Sequence, residues 1–514
     1  MTDDVTRPAV VRGPAGSAAV AAGSTGAVGA AIESLRAGGS AVDAALAAAF
    51  ATVVTEPVLS SLGGGGFLLH APASGDPQLL DFFVAVPGLG GGDAVPDVRT
   101  VVVDFAKAGP AAGASEQVFH GGWGTVAVPG CLAGYLDAHV RWGRLPLAAV
   151  VGPAAALARD GVNLSPAQRT FLTLVADLLA LTVDSAALFA GLDAHGRYVN
   201  TGYADLLDAL ARGEITVPHD PSYAARLLAC SRAGGGLITD LDLRSYEPVV
   251  RDPQLLDRSG VRVWTNPPPA AGGPIVLEAL GRLAVAAGGT TPLDWAAVIA
   301  AQADVVLAHR APGQVPTGTT HISVVDADGH LAALTTSNGS GSGTVLSGWG
   351  VALNNMLGEE DLQPGEPLAP GARMGSMMAP ALLAWPDGAR VVLGTGGSER
   401  IRSATLAVLL RLLDGGAELA DAVAAPRVHV SSHHQVHVEP GLTDADLDAL
   451  RRLTVERGWP EVESWPTTNV FFGGVHAVRR NADGSVVAVG DGRRGGAAAV
   501  LTPDGRVLMA SSDQ

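Results

Sequence analysis

The chain of 514 residues is 47% hydrophobic and only 4% aromatic, so it can bury a large core made mostly of small side chains. Its formal net charge of −17 argues against nucleic acid or an anionic membrane as the main partner. The two cysteines, Cys131 and Cys230, are far apart and match no metal or redox spacing.

Residues 1–8 contain acidic side chains and no apolar core, so they do not have the pattern of a signal peptide. The apolar run Ala44–Val54 is about half as long as a membrane-spanning helix requires. We therefore expect a soluble, cytoplasmic protein that binds neither a membrane nor nucleic acid.

Small and apolar residues dominate the first part of the chain and predict helices there. The segment Ala18–Arg36 is predicted as one helix, because a glycine pair follows it. The next helix is Ala41–Val54, with Ser40 as its N-cap. Four consecutive glycines then precede a predicted strand at Phe67–His70. No Lys-Ser or Lys-Thr pair follows them, so they indicate close backbone approach and exclude a phosphate-binding loop.

Helices also dominate the middle of the chain. They end at residues 311–318, a linker rich in Pro and Gly that is predicted to be exposed and easily cut. Short strands are predicted at Val249–Arg251 and Val261–Thr265. The predicted helices are Cys131–Trp142, Leu147–Asp160, Pro166–Phe189, Pro221–Ala233, Ile275–Ala287 and Asp294–His309.

A predicted β-hairpin follows the linker, with strands His321–Val325 and His330–Leu334 joined by an Asp-Ala-Asp-Gly turn. Thr319 stands at the start of its first strand. If the chain is cut before such a threonine, the new α-amine lies beside its own hydroxyl and can act as the activating base. The ordinary pKa of an α-amine, about 7.7–8.0, suits this role. Because Thr-Thr also simply favours strands, the interpretation depends on the rest of the chain.

Paired strands and glycine turns dominate the C-terminal part. Strands are predicted at Ala381–Trp385 and Arg390–Leu393. The glycine turn Gly394–Gly397 follows and opens a predicted helix at Ser398–Leu413. Amide N–H groups in such a turn favour a developing oxyanion, although the same sequence can be a plain strand-to-helix turn. Two or three β segments are expected to close the chain.

Motifs along the whole chain then point to one family. They are Gly38–Ala45, Glu56–Pro57, Gly63–Phe67, Val128–Gly130, Gly234–Tyr246, Pro267–Gly273, Thr319–Asp326, Leu353–Asn355, Gly394–Ile401, Ala424–Arg427 and Asp491–Ala497. In order and content they closely resemble the γ-glutamyltransferase family of N-terminal-nucleophile hydrolases. The resemblance implies an α+β fold, a four-layer αββα sandwich with two stacked sheets between helices, and no cofactor.

The resemblance also implies a precursor that cuts itself between Gly318 and Thr319. A large chain, residues 1–318, and a small chain, residues 319–514, would then stay associated in one αββα domain. Thr319 would form an acyl-enzyme with a small-molecule amide or γ-glutamyl substrate, and would pass the acyl group to water or to an amine acceptor.

Three further positions take catalytic roles from the family. A hydroxyl that hydrogen-bonds the nucleophile falls on Ser337, where the family has threonine. The two backbone amides of the oxyanion hole fall on Gly396 and Gly397. The catalytic positions therefore follow the family pattern closely.

The substrate side departs from that pattern. Phe83 stands where the family has an arginine that binds the substrate α-carboxylate, and of two paired serines only Ser376 remains, with Met377 beside it. The aspartate that binds the substrate amine falls on Glu359, and the substrate asparagine falls on Asn338 in a shortened loop. Because a carboxylate buried without a cation is costly, this apolar wall favours a donor without a free α-carboxylate.

Alternatives remain at this point. Arg373 could swing in and replace the arginine missing at Phe83. The main interpretation is a γ-glutamyltransferase-like enzyme of glutathione metabolism. The same chemistry on a different acyl amide, and an unprocessed binding protein, are the alternatives.

Other polar residues are expected to be structural. Asp43 is predicted to cap or pack a helix. The histidines fit no metal-binding pair on a helix face, so no metal is expected. They are His429, His433, His434 and His437. The arginines that match structural positions of the family and are expected to be salt-bridge or fold residues are Arg310, Arg427, Arg493 and Arg494.

Overall fold

The computed structural model describes residues 7–91, 95–104, 116–193, 195–216, 220–283, 293–308, 318–359 and 368–512. The predicted linker before Gly318 and the predicted salt-bridge residue Arg310 lie outside these ranges.

The described residues form helices and strands with the following bounds. The helices are α1 (Thr25–Arg36), α2 (Ala41–Thr55), α3 (Cys131–Trp142), α4 (Leu147–Asp160), α5 (Pro166–Leu174), α6 (Ala176–Leu179), α7 (Val183–Phe189), α8 (Thr201–Ala211), α9 (Pro221–Gly234), α10 (Asp240–Ser245), α11 (Gly272–Arg282), α12 (Trp295–Ala308), α13 (Arg400–Leu413), α14 (Leu419–Ala424) and α15 (Asp444–Arg457). The strands are β1 (Ala9–Gly13), β2 (Ala18–Ala22), β3 (Gly65–Ala71), β4 (Gln78–Asp81), β5 (Arg99–Asp104), β6 (Glu116–Gly121), β7 (Val249–Arg251), β8 (Gln254–Arg258), β9 (Val261–Thr265), β10 (Gly318–Val325), β11 (Leu331–Gly339), β12 (Val345–Leu346), β13 (Val351–Ala352), β14 (Ala381–Ala384), β15 (Arg390–Gly396), β16 (Val428–Val430), β17 (Val436–Val438), β18 (Glu463–Ser464), β19 (Gly474–Arg480), β20 (Val486–Gly490), β21 (Ala497–Leu501) and β22 (Val507–Ser511).

Two large antiparallel sheets form the centre. The β15 sheet has seven strands in the order β1-β20-β19-β15-β14-β9-β8. The β10 sheet has eight strands in the order β22-β21-β2-β10-β11-β3-β4-β7. The central strand β10 contacts β15 and β19 of the other sheet. The two sheets therefore pack face to face, and β10 faces the β15 sheet.

Helices cover both outer faces. α1 and α2 pack on the β10 sheet, and α11 and α13 pack on the β15 sheet, which gives the predicted αββα sandwich. The period of two along β10 sorts its side chains between the layers. Ile322 and Val324 enter the core shared with α2, whereas Ser323 bonds the carbonyls of Val392 and His476 in the other sheet at 3.2 and 3.1 Å.

Three sequence predictions were wrong in detail. The segment predicted as one helix from Ala18 to Arg36 is strand β2 followed by α1, because Ala18–Ala22 is buried between β10 and β21 and sheet pairing overrides the helix propensity of alanine. Pro166–Phe189 is three short helices, and Thr182 starts the last of them by accepting a hydrogen bond from the Ser185 amide. The C-terminal part also contains α15, which begins with a capping box formed by Thr443 and Asp446.

Candidate active site

Thr319 is the second residue of β10 and is only 3% exposed. Gly318 pairs with Gly339 and Thr319 pairs with Ser337, so Asn338 is an extra residue on β11 and forms a bulge opposite the Gly318–Thr319 bond. A Cβ at Gly318 would lie 2.5 Å from the Val58 carbonyl oxygen. Only glycine therefore fits before the threonine, and the hairpin predicted from sequence is confirmed with longer strands.

The Ser337 hydroxyl donates a hydrogen bond to the carbonyl oxygen of Gly318. The same oxygen atom of Ser337 accepts a hydrogen bond of 3.1 Å from the Gly339 amide, which fixes the direction of its proton. In the uncut chain the serine therefore polarises the carbonyl that precedes Thr319.

The glycine turn at the end of β15 lies directly against Thr319. A Cβ at Gly396 would collide with the Thr319 carbonyl oxygen, so β15 can approach β10 only because this residue has no side chain. Gly397 has a φ of +132°, a conformation that L side chains rarely adopt. The structure thus brings Thr319, Ser337, Gly396 and Gly397 to one place, although they come from three separate motifs.

A buried polar cluster supports the strand beneath Thr319. His321 bonds Thr335 through Nδ1 at 2.7 Å and Ser323 through Nε2 at 2.9 Å. Burial holds the pKa of His321 well below its ordinary value, so the ring is neutral. A Cβ at Gly394 would collide with this ring. The histidine therefore fixes the spacing of the two sheets at the site and is not a candidate base.

Two buried charged groups also flank the start of β10. Arg494 Nη1 lies 3.5 Å from the Thr319 carbonyl oxygen. Burial, with the nearby charge of Arg400, lowers the pKa of Arg494 to about 9. Burial raises the pKa of Glu56 to about 7, against the opposing effects of the Thr320 hydroxyl and the Arg494 charge. Sequence reasoning gave Glu56 no role, although a lone carboxylate in an otherwise apolar and glycine-rich stretch was a visible signal.

Asn338 and Glu359 lie together beside the bulge. The Asn338 Nδ2 atom donates to the Leu353 carbonyl at 3.4 Å, while its Oδ1 atom is buried without a hydrogen bond to any described residue. The Glu359 carboxylate accepts a hydrogen bond of 3.0 Å from the Ser340 amide. A Cβ at Gly339 would lie 2.7 Å from Glu359 Oε1. Asn338 is therefore opposite the bond expected to be cut, and the Glu359 carboxylate lies beside Gly339, which pairs with Gly318.

Phe83 and Met377 belong to the apolar core between the sheets and are 1% and 5% exposed. The Phe83 ring stacks on Phe67 with 5.7 Å between ring centroids. The Ser376 hydroxyl accepts a hydrogen bond of 3.1 Å from the Met378 amide, and the Ser376 carbonyl accepts one from Gly272 at the start of α11. The residues predicted to form the apolar substrate side are therefore packed in the core, and the remaining serine is bonded to the backbone.

Arg373 lies next to Phe83 but is already engaged. Its guanidinium donates to the Phe83 carbonyl and to the Glu247 carbonyl, and it lies 4.4 Å from the centroid of the Tyr246 ring. Its Nε atom is 3.8 Å from Asp81. To bind a substrate carboxylate, Arg373 would have to give up these contacts.

The comparison with known proteins decides the family. The model of the gamma-glutamyltranspeptidase family matches residues 27–300 and 300–501. The chain belongs to this family. The glutathione hydrolase proenzyme of Pseudomonas aeruginosa is 29% identical over 77% of this chain and 79% of its own length. The acylase ACY 1 proenzyme of Pseudomonas sp. (strain V22) is 28% identical over 88% of both chains.

The fold is shared with a solved relative. The crystal structure of cephalosporin acylase from Bacillus halodurans matches with a TM-score of 0.77 over 98% of this chain and 96% of that chain, at 23% sequence identity. As a γ-glutamyltranspeptidase-family member, the chain is an enzyme of the autoprocessing N-terminal-nucleophile hydrolase type that acts on acyl amides. The predictions of superfamily, fold and enzyme class are confirmed.

Asp43, Arg427 and Arg493, which were predicted to be structural, have side-chain or backbone partners, whereas no carboxylate among the described residues lies within salt-bridge distance of Arg494. Asp43 forms a capping box with Ser40 at the start of α2. The other partners are Asp491 for Arg427 and Glu439 for Arg493.

Two of the four histidines considered as metal ligands, His429 and His437, stack with 6.1 Å between ring centroids. Among the described residues no group of three or more His, Cys, Asp or Glu side chains is placed to hold a metal ion. In the same part of the chain, no helix is both long and apolar enough to cross a membrane.

Proposed function

We propose that this member of the γ-glutamyltranspeptidase family cuts itself between Gly318 and Thr319 and then uses Thr319 as its nucleophile. The observation that carries the proposal is the hydrogen bond from Ser337 to the Gly318 carbonyl. This hydrogen bond polarises the Gly318 carbonyl and so favours attack on its carbon atom. Gly396 supports the proposal because it brings the amides of a glycine turn to the same threonine.

Self-cleavage needs only groups already at the site. The Thr319 hydroxyl adds to the Gly318 carbonyl carbon, and Ser337 stabilises the negative charge that develops on the carbonyl oxygen. The carbon–nitrogen bond then breaks, and the nitrogen leaves as the α-amine of Thr319 with one proton gained. Water hydrolyses the resulting ester, which leaves a carboxylate on Gly318 and a free hydroxyl on Thr319.

Turnover repeats this chemistry on an external amide. The α-amine of Thr319 takes the hydroxyl proton while the oxygen attacks the acyl carbon, and the same proton passes to the leaving amine. The N–H groups of Gly396 and Gly397 are the proposed donors to the oxyanion. Water or an amine acceptor then releases the acyl group from Thr319.

The proposed donor is an acyl amide without a free α-carboxylate. Phe83 and Met377 lie in the apolar core, and Arg373 is held by backbone carbonyls and Asp81. A free carboxylate at this wall would lose its hydration without gaining a cation. The relative named as an acylase supports this donor class. The relatives named as glutathione hydrolases keep γ-glutamyl compounds, including glutathione, as the second candidate.

The two products, residues 1–318 and 319–514, should remain one folded unit. In the β10 sheet, β2, β3, β4 and β7 come from the large chain, while β10, β11, β21 and β22 come from the small chain. Separation would break the hydrogen bonds of β10 with β2 and of β11 with β3. The proposed reaction uses the hydroxyl and the α-amine of Thr319 and therefore needs no cofactor.

A single purified sample tests the cut. The protein is followed on a denaturing gel, and the smaller band is sequenced from its N-terminus. The expected sequence is Thr-Thr-His-Ile, beginning at Thr319. A different start, or one intact chain after long incubation, would contradict the proposal. A panel of γ-glutamyl and other acyl anilides then separates the two donor classes.

A further inference from the structure

We propose that Glu56 and Arg494 set the pKa of the α-amine that self-cleavage creates on Thr319, and so fix the pH range in which this amine is an active base. The inference rests on the proposed function, because the amine exists only after the cut. It goes beyond that function by assigning opposite tasks to two buried charges near the start of β10.

Arg494 reaches the nucleophile from the segment between β20 and β21. Its Nη1 atom is 3.5 Å from the Thr319 carbonyl oxygen. A Cβ at Gly396 would lie 3.0 Å from Nη1, and a Cβ at Gly397 would lie 3.2 Å from Nη2. The guanidinium is thus packed between the glycine turn and the nucleophile, with its residue only 6% exposed.

The neighbouring buried arginines are paired differently. Arg427 bonds Asp491, and Arg493 bonds Glu439 at 2.7 Å. Among the described residues, no carboxylate lies within salt-bridge distance of Arg494, whose hydrogen bonds go to backbone carbonyls. The positive charge of Arg494 is therefore less neutralised than the charges of Arg427 and Arg493, and it acts electrostatically on the groups around it.

Glu56, at the end of α2, lies near the side chain of Thr320, the residue that follows the nucleophile. Its residue is 1% exposed, and a Cβ at Gly23 would lie 2.5 Å from Oε2, so a glycine is needed to admit the carboxyl group. The Oε1 atom makes no hydrogen bond to a described residue, although the Thr320 hydroxyl is near enough to lower the pKa. An incompletely bonded buried carboxyl is costly and serves no evident structural purpose.

The two charges act on the amine with opposite signs. A cation at Arg494 disfavours an ammonium group on Thr319 and lowers the pKa of the amine, whereas an ionised Glu56 favours the ammonium and raises it. Burial places the pKa of Glu56 at about 7, close to the ordinary range of an α-amine. The charge of Glu56 therefore changes in the pH range where the amine must lose its proton.

Of the other ionisable groups near the site, His321 and Asp491 keep one charge state in this range. The His321 ring is kept neutral by burial. The remaining groups are Arg400 at the start of α13, Glu359 at the bulge, and Asp491, whose pKa the neighbouring arginines hold far below neutral against the effect of burial.

The test is the pH dependence of kcat/KM of the cleaved enzyme, whose acid limb reports the base of the free enzyme. Arg494→Met removes the cation, so the limb should move to higher pH by about one unit. Glu56→Gln removes the anion, so the limb should move to lower pH by about one unit. Because two coupled groups titrate in the wild-type limb, that limb should be broad, and Glu56→Gln should narrow it.

Control variants separate charge from shape. Arg494→Lys keeps the cation, so the acid limb should stay at its wild-type pH. In the double variant Glu56→Gln, Arg494→Met the two shifts oppose each other, so the limb should lie close to its wild-type pH. Arg494→Gln is a second neutral variant in case the methionine variant does not process. A lower rate with an unmoved limb, or two limbs that move in the same direction, would overturn the inference.

N-terminal sequencing of the small chain precedes the kinetics and separates the two proposals. A start other than Thr319 contradicts the proposed function itself. A start at Thr319 together with unmoved limbs contradicts only the assignment of Glu56 and Arg494.

Discussion

The two sides of the site around Thr319 are built from opposite chemistry. On the nucleophile side, Ser337 bonds the Gly318 carbonyl and the β15 turn is pressed against the strand. On the substrate side, Phe83 and Met377 are buried in the apolar core. The positions predicted to be catalytic keep the hydroxyl and glycine chemistry that the family pattern implies, whereas the positions predicted to bind the donor carboxylate have become apolar.

This difference separates reaction from recognition. Groups that make and break the acyl bond must be held to within a fraction of an ångström, so each depends on backbone geometry such as a bulge or a side-chain-free strand end. A wall that only receives the acyl group can change from cationic to apolar while the reaction stays the same. A substitution on the nucleophile side should therefore change the rates of self-cleavage and turnover without changing the donor preference.

The largest effect is expected from Thr319→Ala, which removes the nucleophile of both reactions. The chain should remain intact and inactive, because the hydroxyl proposed to attack the Gly318 carbonyl carbon is gone. Thr319→Ser keeps the hydroxyl and should still process. Denaturing gels and mass spectrometry of the products check both variants. Processing of Thr319→Ala at the wild-type rate would show that another group performs the cut.

Gly396→Ala should be nearly as severe. The new Cβ would collide with the Thr319 carbonyl oxygen, so β15 and β10 must move apart and the proposed oxyanion donors lose their position. We expect activity to fall by about 100-fold or more, the usual cost of one lost oxyanion donor. Thermal unfolding measured beside turnover shows how much of the loss is fold stability.

A matched control for that variant is Gly152→Ala on α4, where nothing lies within 4 Å of the new Cβ. It should retain activity and gain about 0.5–1 kcal/mol of stability, as expected for alanine over glycine within a helix. Equal activities of the two variants would contradict the close approach of β15 to the nucleophile.

Ser337→Ala should have an intermediate effect. It removes one hydrogen bond to the Gly318 carbonyl, and a bond to a charged or reacting group contributes about 1.5–3 kcal/mol, so self-cleavage and turnover should slow by about 10–100-fold. Ser337→Thr keeps the hydroxyl and is the control. Complete loss of covalent labelling at Thr319 in the alanine variant would show that Ser337 has a different role.

The hairpin that carries Thr319 could be predicted from the sequence because its signals are local. Glycine before threonine, a hairpin turn and a glycine run each have a short-range physical meaning, and the structure brings them together. Glu56 and Arg494 were not predicted as a pair, because their separation in the chain is large and their role comes from burial. Strand β2 was missed for a related reason, since its alanines form a strand only through pairing with β10 and β21.

The smallest effect concerns the preference of the enzyme for one acyl donor over another. At the wall of Phe83 and Met377 an α-carboxylate would have to lose its water without gaining a cation, unless Arg373 left its contacts with the Phe83 and Glu247 carbonyls.

We therefore expect weak activity on glutathione and γ-glutamyl-p-nitroanilide, and better activity on the α-amide analogue of that anilide, which lacks the free carboxylate. Steady-state kinetics on the two anilides decide the question, and Thr319→Ala gives the background rate. A kcat/KM on the free acid of about 10⁴ M⁻¹s⁻¹ or more, with the analogue slower, would show that the site supplies a cation after all. In that case Arg373→Met should remove the preference for the free acid, because Arg373 is the arginine that lies next to Phe83.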